Sequence, residues 1–110
     1  MEVNKMDPMD DTYQFIKSKI PFPALLENLA EELGEMQHHI LKAARAYRED
    51  NPTPAKVEEE MEKAYEEYGD VMNLARIINL RFYPFEMQEK LDRWVQRIIE
   101  KEEGMENEDS

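Results

Sequence analysis

The sequence predicts an all-α protein, and three observations lead to this prediction. Apolar residues recur at three- and four-residue steps over long stretches, which is the pattern of amphipathic helices. Prolines divide the chain into segments of helical length, and no stretch alternates as a half-buried strand does. The length of 110 residues allows one domain with a modest core. We therefore expect a four-helix, bundle-like fold with two long central helices.

The first half of the chain predicts a short helix and a long one. Residues 1–10 are polar and rich in methionine, and we expect them to be flexible. A short helix is predicted from about Asp11 to Lys19, because the prolines of PFP (21–23) then turn the chain. A long helix is predicted from Pro23 to about Glu49. Its apolar stripe consists of Leu26, Leu29, Leu33, Met36, Ile40 and Ala44.

The second half predicts two further helices. NPTP (51–54) breaks the chain, with Thr53 as a helix cap and Pro54 at the first helical position. This second long helix runs to about Leu80, and RFYPF (81–85) ends it. Its stripe is predicted to contain Met61, Ala64, Tyr65, Tyr68, Met72 and Ala75. In the last helix we expect Met87, Leu91, Trp94 or Val95, and Ile98 to face inward.

The ends and the helix lengths predict the organisation of the molecule. A single domain is expected over residues 11–100, followed by an acidic, disordered tail at 101–110. A helix over residues 23–49 would be ~40 Å long at ~1.5 Å per residue. A compact domain of this size is only roughly 35 Å across. We therefore expect a homo-dimer or homo-tetramer that covers the remaining apolar surface.

Charge and composition exclude several classes of protein. The chain carries 26 acidic and 14 basic residues, a net charge of −12, which argues against a binder of duplex nucleic acid. There is no cysteine, so disulfides and thiolate metal sites are excluded. No basic-then-apolar leader is present, and no apolar run approaches the ~20 residues of a membrane span. These features predict a cytoplasmic protein with no membrane association.

Two acidic motifs interrupt the long helices, EELGE (31–35) and EEYGD (66–70). Each places two acidic residues three apart, which project from successive turns of one helix face. If the helices pack antiparallel, the pairs can meet, and each like-charge pair at ~4 Å would cost about 4 kcal/mol at an effective dielectric of ~20. Divalent cations such as Mg²⁺ would remove this cost. From spacing alone a metal site and a solvated acidic face are equally supported. The four residues are Glu32, Glu35, Glu67 and Asp70.

Other features near these motifs have a structural and a functional interpretation. Gly34 and Gly69 would thin the helix surface and leave room for a neighbouring helix or a substrate. Glu35 and His38 form one Glu-x-x-His step, but a di-iron bundle needs a second such step, so a polar helix flank is the better interpretation. Basic residues on the first long helix and on the last helix could bind phosphate or simply favour solubility. They are Lys42, Arg45, Lys90, Arg93 and Arg97.

The two motifs together resemble the EExxE…ExxD signature of MazG-like nucleotide pyrophosphohydrolases, an all-α superfamily that also includes dimeric dUTPases and phosphoribosyl-ATP pyrophosphohydrolases. The resemblance extends from about Leu25 to Ile98. It includes LKAARA after the first motif, the NPTP turn, and KLDRWVQRI in the last helix.

This resemblance implies a function and a set of site residues. Nucleoside triphosphates would be hydrolysed to the monophosphate and pyrophosphate, with Mg²⁺ or Mn²⁺ as cofactor. Glu32, Glu35, Glu67 and Asp70 would be the metal ligands. Glu31 would either support these ligands without touching the metal or help to orient the attacking water, so that Glu31 and Glu35 form the catalytic set. Lys90 and Arg93 would contact phosphates, Lys42 and Arg45 are weaker candidates, and Asn73 would touch the nucleotide.

A second function from a different class is also compatible with the sequence. The chain could be a non-catalytic helical module for oligomerisation or protein binding, with the acidic pairs as surface charge. This alternative predicts no effect of Mg²⁺ on the melting temperature.

Overall fold

The computed structural model describes residues 8–48 and 54–108, with side chains described for residues 9–48 and 54–105. In this part of the chain every regular element is an α-helix, which confirms the predicted all-α class. The third and fourth helices are nearly as long as the second, so three helices are long rather than two. The helices are α1 (Pro8–Lys19), α2 (Phe22–Arg48), α3 (Pro54–Ile77) and α4 (Pro84–Glu108).

Prolines mark the helix starts. The carbonyl of Pro21 accepts the first backbone hydrogen bond of α2, from Leu25 at 3.1 Å, so Pro23 lies in the first turn, where its missing N–H is not needed. Pro54 and Pro84 are the first residues of α3 and α4. The expected cap at Thr53 and most of the N-terminal segment expected to be flexible lie outside the described residues.

The end of α3 is set by Asn79 rather than by RFYPF. Asn79 has a positive φ of 57°, its N–H bonds to the carbonyl of Arg76 at 3.1 Å, and the N–H of Leu80 bonds to the carbonyl of Ala75 at 2.8 Å. This pair of bonds is the Schellman motif, in which a left-handed residue reverses the chain after a helix.

The chain divides into two units by its internal contacts, residues 1–80 and 81–110. The first contains α1, α2 and α3, and the second contains α4. The sequence predicted one domain over residues 11–100, so the boundary after Leu80 is a finding of the structure.

In the first unit, α2 and α3 form an antiparallel pair that supplies most of the packing. Glu32 lies near Glu67, and His39, later in α2, bonds to Glu60, earlier in α3. The two helices therefore run in opposite directions. The predicted stripes are partly wrong, because Leu26, Leu33 and Ile40 of α2 and Tyr65, Tyr68 and Met72 of α3 are exposed. The buried hydrophobic side chains among the described residues are Leu25, Leu29, Ala43, Ala46, Ala64 and Ile77.

Helix α1 packs against α3 through polar contacts as well as apolar ones. The hydroxyl of Tyr13 donates to Oδ1 of Asn73 at 2.7 Å. Arg76 donates to Asp10 at 3.1 Å, and its guanidinium lies 5.0 Å from the centre of the Tyr13 ring. These contacts place α1 beside the second half of α3.

In the second unit, α4 exposes its side chains all round over residues 84–105. The expectation that its apolar residues face inward is therefore wrong for the single chain, and Trp94, expected in the core, is 60% exposed. The physical reason is that the unit contains no second helix against which to bury an apolar stripe. Helix α4 also continues to Glu108, so the acidic tail expected to be disordered is helical that far.

Within the described helices, none combines the length and the apolarity that crossing a lipid bilayer requires.

Candidate functional site

Three glutamates of the first unit come together on the α2–α3 pair. Glu32 and Glu35 of α2 and Glu67 of α3 each place a carboxylate oxygen so that all three oxygens lie within 4.8 Å of one another. Glu32 and Glu35 share a helix face because they are three residues apart, and the antiparallel packing brings Glu67 to the same level. We call these three residues the carboxylate cluster.

The carboxylate cluster contains two buried oxygen atoms that lack a donor when all three carboxyls are ionised. In that form Oε2 of Glu32 and Oε2 of Glu67 are inaccessible to solvent and have no hydrogen-bond partner among the described residues. A buried carboxylate oxygen without a donor is costly, and native proteins pair nearly all such atoms. Hard divalent cations are the metal ions that prefer a donor set made of carboxylate oxygens alone.

Crowding of the three carboxylates changes the acidity of Glu67. The pKa of Glu67 is raised to about 7. The largest cause is a hydrogen bond to Glu32, which only a protonated carboxyl can donate, and burial and the nearby Glu35 add to it. One proton therefore stays within the cluster up to near-neutral pH in the absence of a cation. A bound cation would replace that proton.

Asp70 and Glu31 flank the carboxylate cluster without belonging to it. Asp70 is exposed, lies one turn beyond Glu67 on α3, and lines a cavity together with Glu32. Glu31 is exposed and lies one turn before Glu35 on α2. The structure therefore brings three of the four predicted metal ligands together and places the fourth at the rim.

The two histidines do not join the carboxylate cluster. Nδ1 of His39 donates to Oε2 of Glu60 at 2.8 Å, and this bond lies two turns along the helix pair from Glu32 and Glu67. His38 is exposed. Among the described residues the cluster holds carboxylates alone, which agrees with treating both histidines as polar flank residues.

Beyond the His39–Glu60 bond lies a small cavity that we call the cationic cavity. Its volume is about 300 Å³, and its lining includes Lys42 and Arg45 of α2 and Lys56 of α3. Glu60 also lines it, but His39, followed by Lys63 and Lys42, holds the pKa of this carboxyl below its usual range. The sequence did not indicate Lys56 as a phosphate contact, because it faces Lys42 and Arg45 only through the pairing of α2 with α3.

Asn73 lies on the other side of the carboxylate cluster, in a cavity of about 330 Å³ that Glu32 and Asp70 also line. The Tyr13 bond to Asn73 was not predicted, since no local pattern joins residues so far apart in the chain. Lys90 and Arg93 lie on α4, in the second unit, next to the exposed Trp94 on the open surface of that helix.

Comparison of the chain with protein-family models, with curated proteins and with solved structures finds no match.

Proposed function

We propose that the protein is a Mg²⁺-dependent nucleoside triphosphate pyrophosphohydrolase, which converts a (deoxy)nucleoside triphosphate and water to the monophosphate and pyrophosphate. The observation that carries the proposal is the carboxylate cluster with its two buried oxygens that lack a donor. The resemblance of the two acidic motifs to MazG-like enzymes supports the reaction class. A cytoplasmic role in removing surplus or damaged nucleotides would follow from it.

Glu32, Glu35 and Glu67 fit the cation, and Asp70 would complete the set from the rim. Their oxygens are the ligands that Mg²⁺ prefers, and Mn²⁺ accepts similar ones. When bound, the cation neutralises phosphate charge, polarises the phosphorus centre and lowers the pKa of water. A bound cation would also provide a partner for the buried oxygens of Glu32 and Glu67.

The reaction also requires a proton acceptor. The oxygen of water forms a bond to phosphorus while the anhydride P–O bond breaks. Pyrophosphate departs if the α-phosphorus is attacked, and the nucleoside monophosphate departs if the β-phosphorus is attacked. In both cases one proton of the water must be accepted. Glu31 and Glu35 lie one turn apart on the same face of α2, and we assign them to orient the water and to accept this proton.

Positive charge for the departing phosphates is available along the same helix pair. The cationic cavity lies about two turns from the carboxylate cluster, and its lysines and arginine can bind phosphate oxygens. Lys42 and Arg45, predicted as substrate contacts, would act there with Lys56. Lys90 and Arg93 of α4 stay in the proposal as phosphate contacts because of the sequence resemblance.

The decisive experiment measures pyrophosphate release from a panel of ribo- and deoxynucleoside triphosphates with Mg²⁺, with Mn²⁺ and with chelator. We expect release that chelator abolishes, and we expect Glu35→Gln and Asp70→Asn to abolish it while the helical content is unchanged. Glu62→Gln is the matched control, because Glu62 is exposed on α3 outside the cluster. Full activity of both cluster-region variants would contradict the assignment of these carboxylates.

A non-catalytic oligomerisation or protein-binding module is the second candidate, and one observation favours it. Tyr65, Tyr68 and Met72 of α3 and several apolar residues of α2 are exposed in the single chain. A large rise in melting temperature on addition of Mg²⁺ would count against this module as the whole function. An unchanged melting temperature, together with no pyrophosphate release from folded protein, would favour it.

A further inference from the structure

The cavity beside the carboxylate cluster has a chemical character of its own, and we call it the amide cavity. All three helices of the first unit contribute to its lining, and its volume is about 330 Å³. This volume is at the lower end of what small-molecule sites in proteins have. The lining residues are Ile16 of α1, Ile20 directly after α1, Leu25, Asn28 and Glu32 of α2, and Asp70, Asn73, Leu74 and Ile77 of α3.

The lining separates into an apolar part, an amide part and an acidic end. Five aliphatic side chains form the walls, two asparagines supply amide groups, and Glu32 and Asp70 mark one end. Neither lysine nor arginine lines the cavity among the described residues. An anionic group is therefore disfavoured inside, whereas an uncharged ring with hydrogen-bonding edges fits both the walls and the amides.

The amide cavity begins where the carboxylate cluster ends. Asn28 lies one turn before Glu32 on α2, and Asn73 lies one turn beyond Asp70 on α3. The cationic cavity lies on the opposite side of the cluster along the same helix pair. The order along the pair is thus apolar and amide side chains, then the carboxylates, then the cations, which is the order of a nucleoside followed by its phosphates.

One of the two amides is already oriented. The Tyr13 hydroxyl donates to Oδ1 of Asn73 at 2.7 Å, so the amide NH₂ of Asn73 is the group with which it can bind a ligand. The cavity extends toward α1, because a second cavity of about 260 Å³ shares Ile16, Asn73 and Ile77 with it. Helix α1 is therefore a wall of this region and supplies part of its shape.

We propose that the amide cavity binds the nucleoside part of the substrate, with Asn28 and Asn73 as hydrogen-bonding partners of the base or sugar and α1 as the wall that determines which base fits. Asn28, Ile16 and Ile20 are then specificity-determining residues. The proposal deepens the proposed function and rests on it for the identity of the substrate as a nucleotide, but binding of a nucleoside can be tested without any hydrolysis.

The test uses isoleucine methyl groups as reporters by NMR, with the full-length protein in chelator. Ile16, Ile20 and Ile77 line the amide cavity, whereas Ile40 is exposed on α2 and Ile98 lies on α4 in the second unit. Titration with the common ribo- and deoxynucleosides should shift the methyl resonances of the first three and leave those of Ile40 and Ile98 unchanged. A non-hydrolysable triphosphate analogue with Mg²⁺ should shift the same three at lower concentration.

A pair of matched variants tests the amide directly. Asn28→Leu keeps the size of the side chain and removes its hydrogen-bonding groups, and we expect it to raise KM for the preferred nucleotide about tenfold with little change in kcat. Gln37→Leu is the control, because Gln37 is an exposed amide of α2 that does not line the cavity. Equal KM values for the two variants would overturn the role of Asn28.

The outcomes separate this inference from the proposed function. Methyl shifts at Ile16, Ile20 and Ile77 without pyrophosphate release would leave the nucleoside site standing and remove the reaction. Pyrophosphate release without shifts at these three methyl groups, from nucleosides or from the triphosphate analogue, would overturn the nucleoside site and leave the reaction. Shifts confined to Ile98 would move the nucleoside to α4.

Discussion

Asn79 is a single residue on which the end of α3 depends. Its φ of 57° lies in the left-handed region, which costs most L-residues about 1–2 kcal/mol and which asparagine and glycine tolerate best. The sequence shows Asn79 plainly, but asparagine also occurs within helices. For this reason Pro84 and the aromatic residues beside it were the stronger stop signal, and the predicted end of α3 fell a few residues late.

Replacement of Asn79 tests this account of the helix end. We expect Asn79→Ala to lower the free energy of unfolding by about 1 kcal/mol, because alanine loses the tolerance for positive φ. Asn79→Gly should be at least as stable as the natural chain. Urea unfolding followed by circular dichroism measures both, with Gln37→Ala as an exposed helical control. Equal destabilisation by alanine and glycine would show that the Asn79 side chain itself, and not its backbone conformation, stabilises the turn.

The raised pKa of Glu67 determines how the stability of the fold should depend on pH when no cation is present. Its pKa in the folded protein is about 7, against 4.5 as its ordinary value, because a hydrogen bond to Glu32, burial and Glu35 favour the protonated form. The folded state therefore binds a proton that the unfolded state has released. Stability from this group is complete below pH 4.5 and is lost as pH rises through about 7.

We accordingly expect the melting temperature in chelator to fall between about pH 5 and about pH 8. Glu67→Gln should reduce this fall, since glutamine does not titrate. Saturating Mg²⁺ should reverse the trend, because the cation binds the deprotonated carboxylates. The contribution of Glu60 to stability has the opposite pH dependence. The hydrogen bond to His39 lowers the pKa of Glu60, so the ionised carboxylate stabilises the folded state above the usual carboxyl range. This stabilisation is lost as pH falls through the lowered pKa. A fall of the same size in Glu67→Gln would refute the role of Glu67.

At the scale of elements, the sequence predicted the helices well and their buried faces poorly. Proline positions and apolar periodicity are local signals, and they were enough to place four helices, although α4 continues to Glu108, beyond the end that the acidic tail suggested. Which apolar row faces the partner helix is not a local property. On α2 the apolar residues cover more than one row, and packing against α3 buries Leu25 and Leu29 while Leu26 and Leu33 stay exposed.

The carboxylate cluster shows the same division between local and non-local information. Each acidic pair follows from helical spacing, and the meeting of Glu32 with Glu67 followed from assuming antiparallel helices. The cationic cavity and the Tyr13–Asn73 bond depend on which side chains face each other across helices, and no spacing along the chain contains that information.

Replacing Gly34 or Gly69 by alanine tests whether another helix or a ligand packs against α2 or α3 at these positions. A Cβ added at either position would meet no atom of the other described residues within 4 Å, apart from the surrounding backbone of its own helix, so packing within the described part of the chain does not require glycine. Because glycine costs roughly 1 kcal/mol in a helix interior, Gly34→Ala and Gly69→Ala should each raise the free energy of unfolding of the single chain by up to about that amount. Urea unfolding at low protein concentration measures this. Destabilisation would indicate that a neighbour occupies the space, as the sequence analysis suggested.

The whole molecule has little buried apolar surface for its length. Among the described residues only six hydrophobic side chains are buried, and three of these are alanines, which contribute little. A core of this size is marginal for a chain of this length. Meanwhile α2 exposes an apolar row at seven-residue spacing, the spacing of a coiled-coil seam. The row consists of Leu26, Leu33, Ile40 and Tyr47.

This row leads to the prediction of a homo-oligomer, with a second copy of the chain as its partner. Light scattering coupled to gel filtration should give the mass of a dimer or a tetramer for the natural chain. Leu33→Lys combined with Ile40→Lys should shift the mass to that of a monomer, because burying a lysine on each of two seam positions is costly. His38→Lys, at an exposed position on the side of the same helix away from this row, should leave the oligomer intact. If the natural chain is a monomer with an unchanged melting temperature in the double variant, the row is merely exposed and α2 has no partner helix from a second copy.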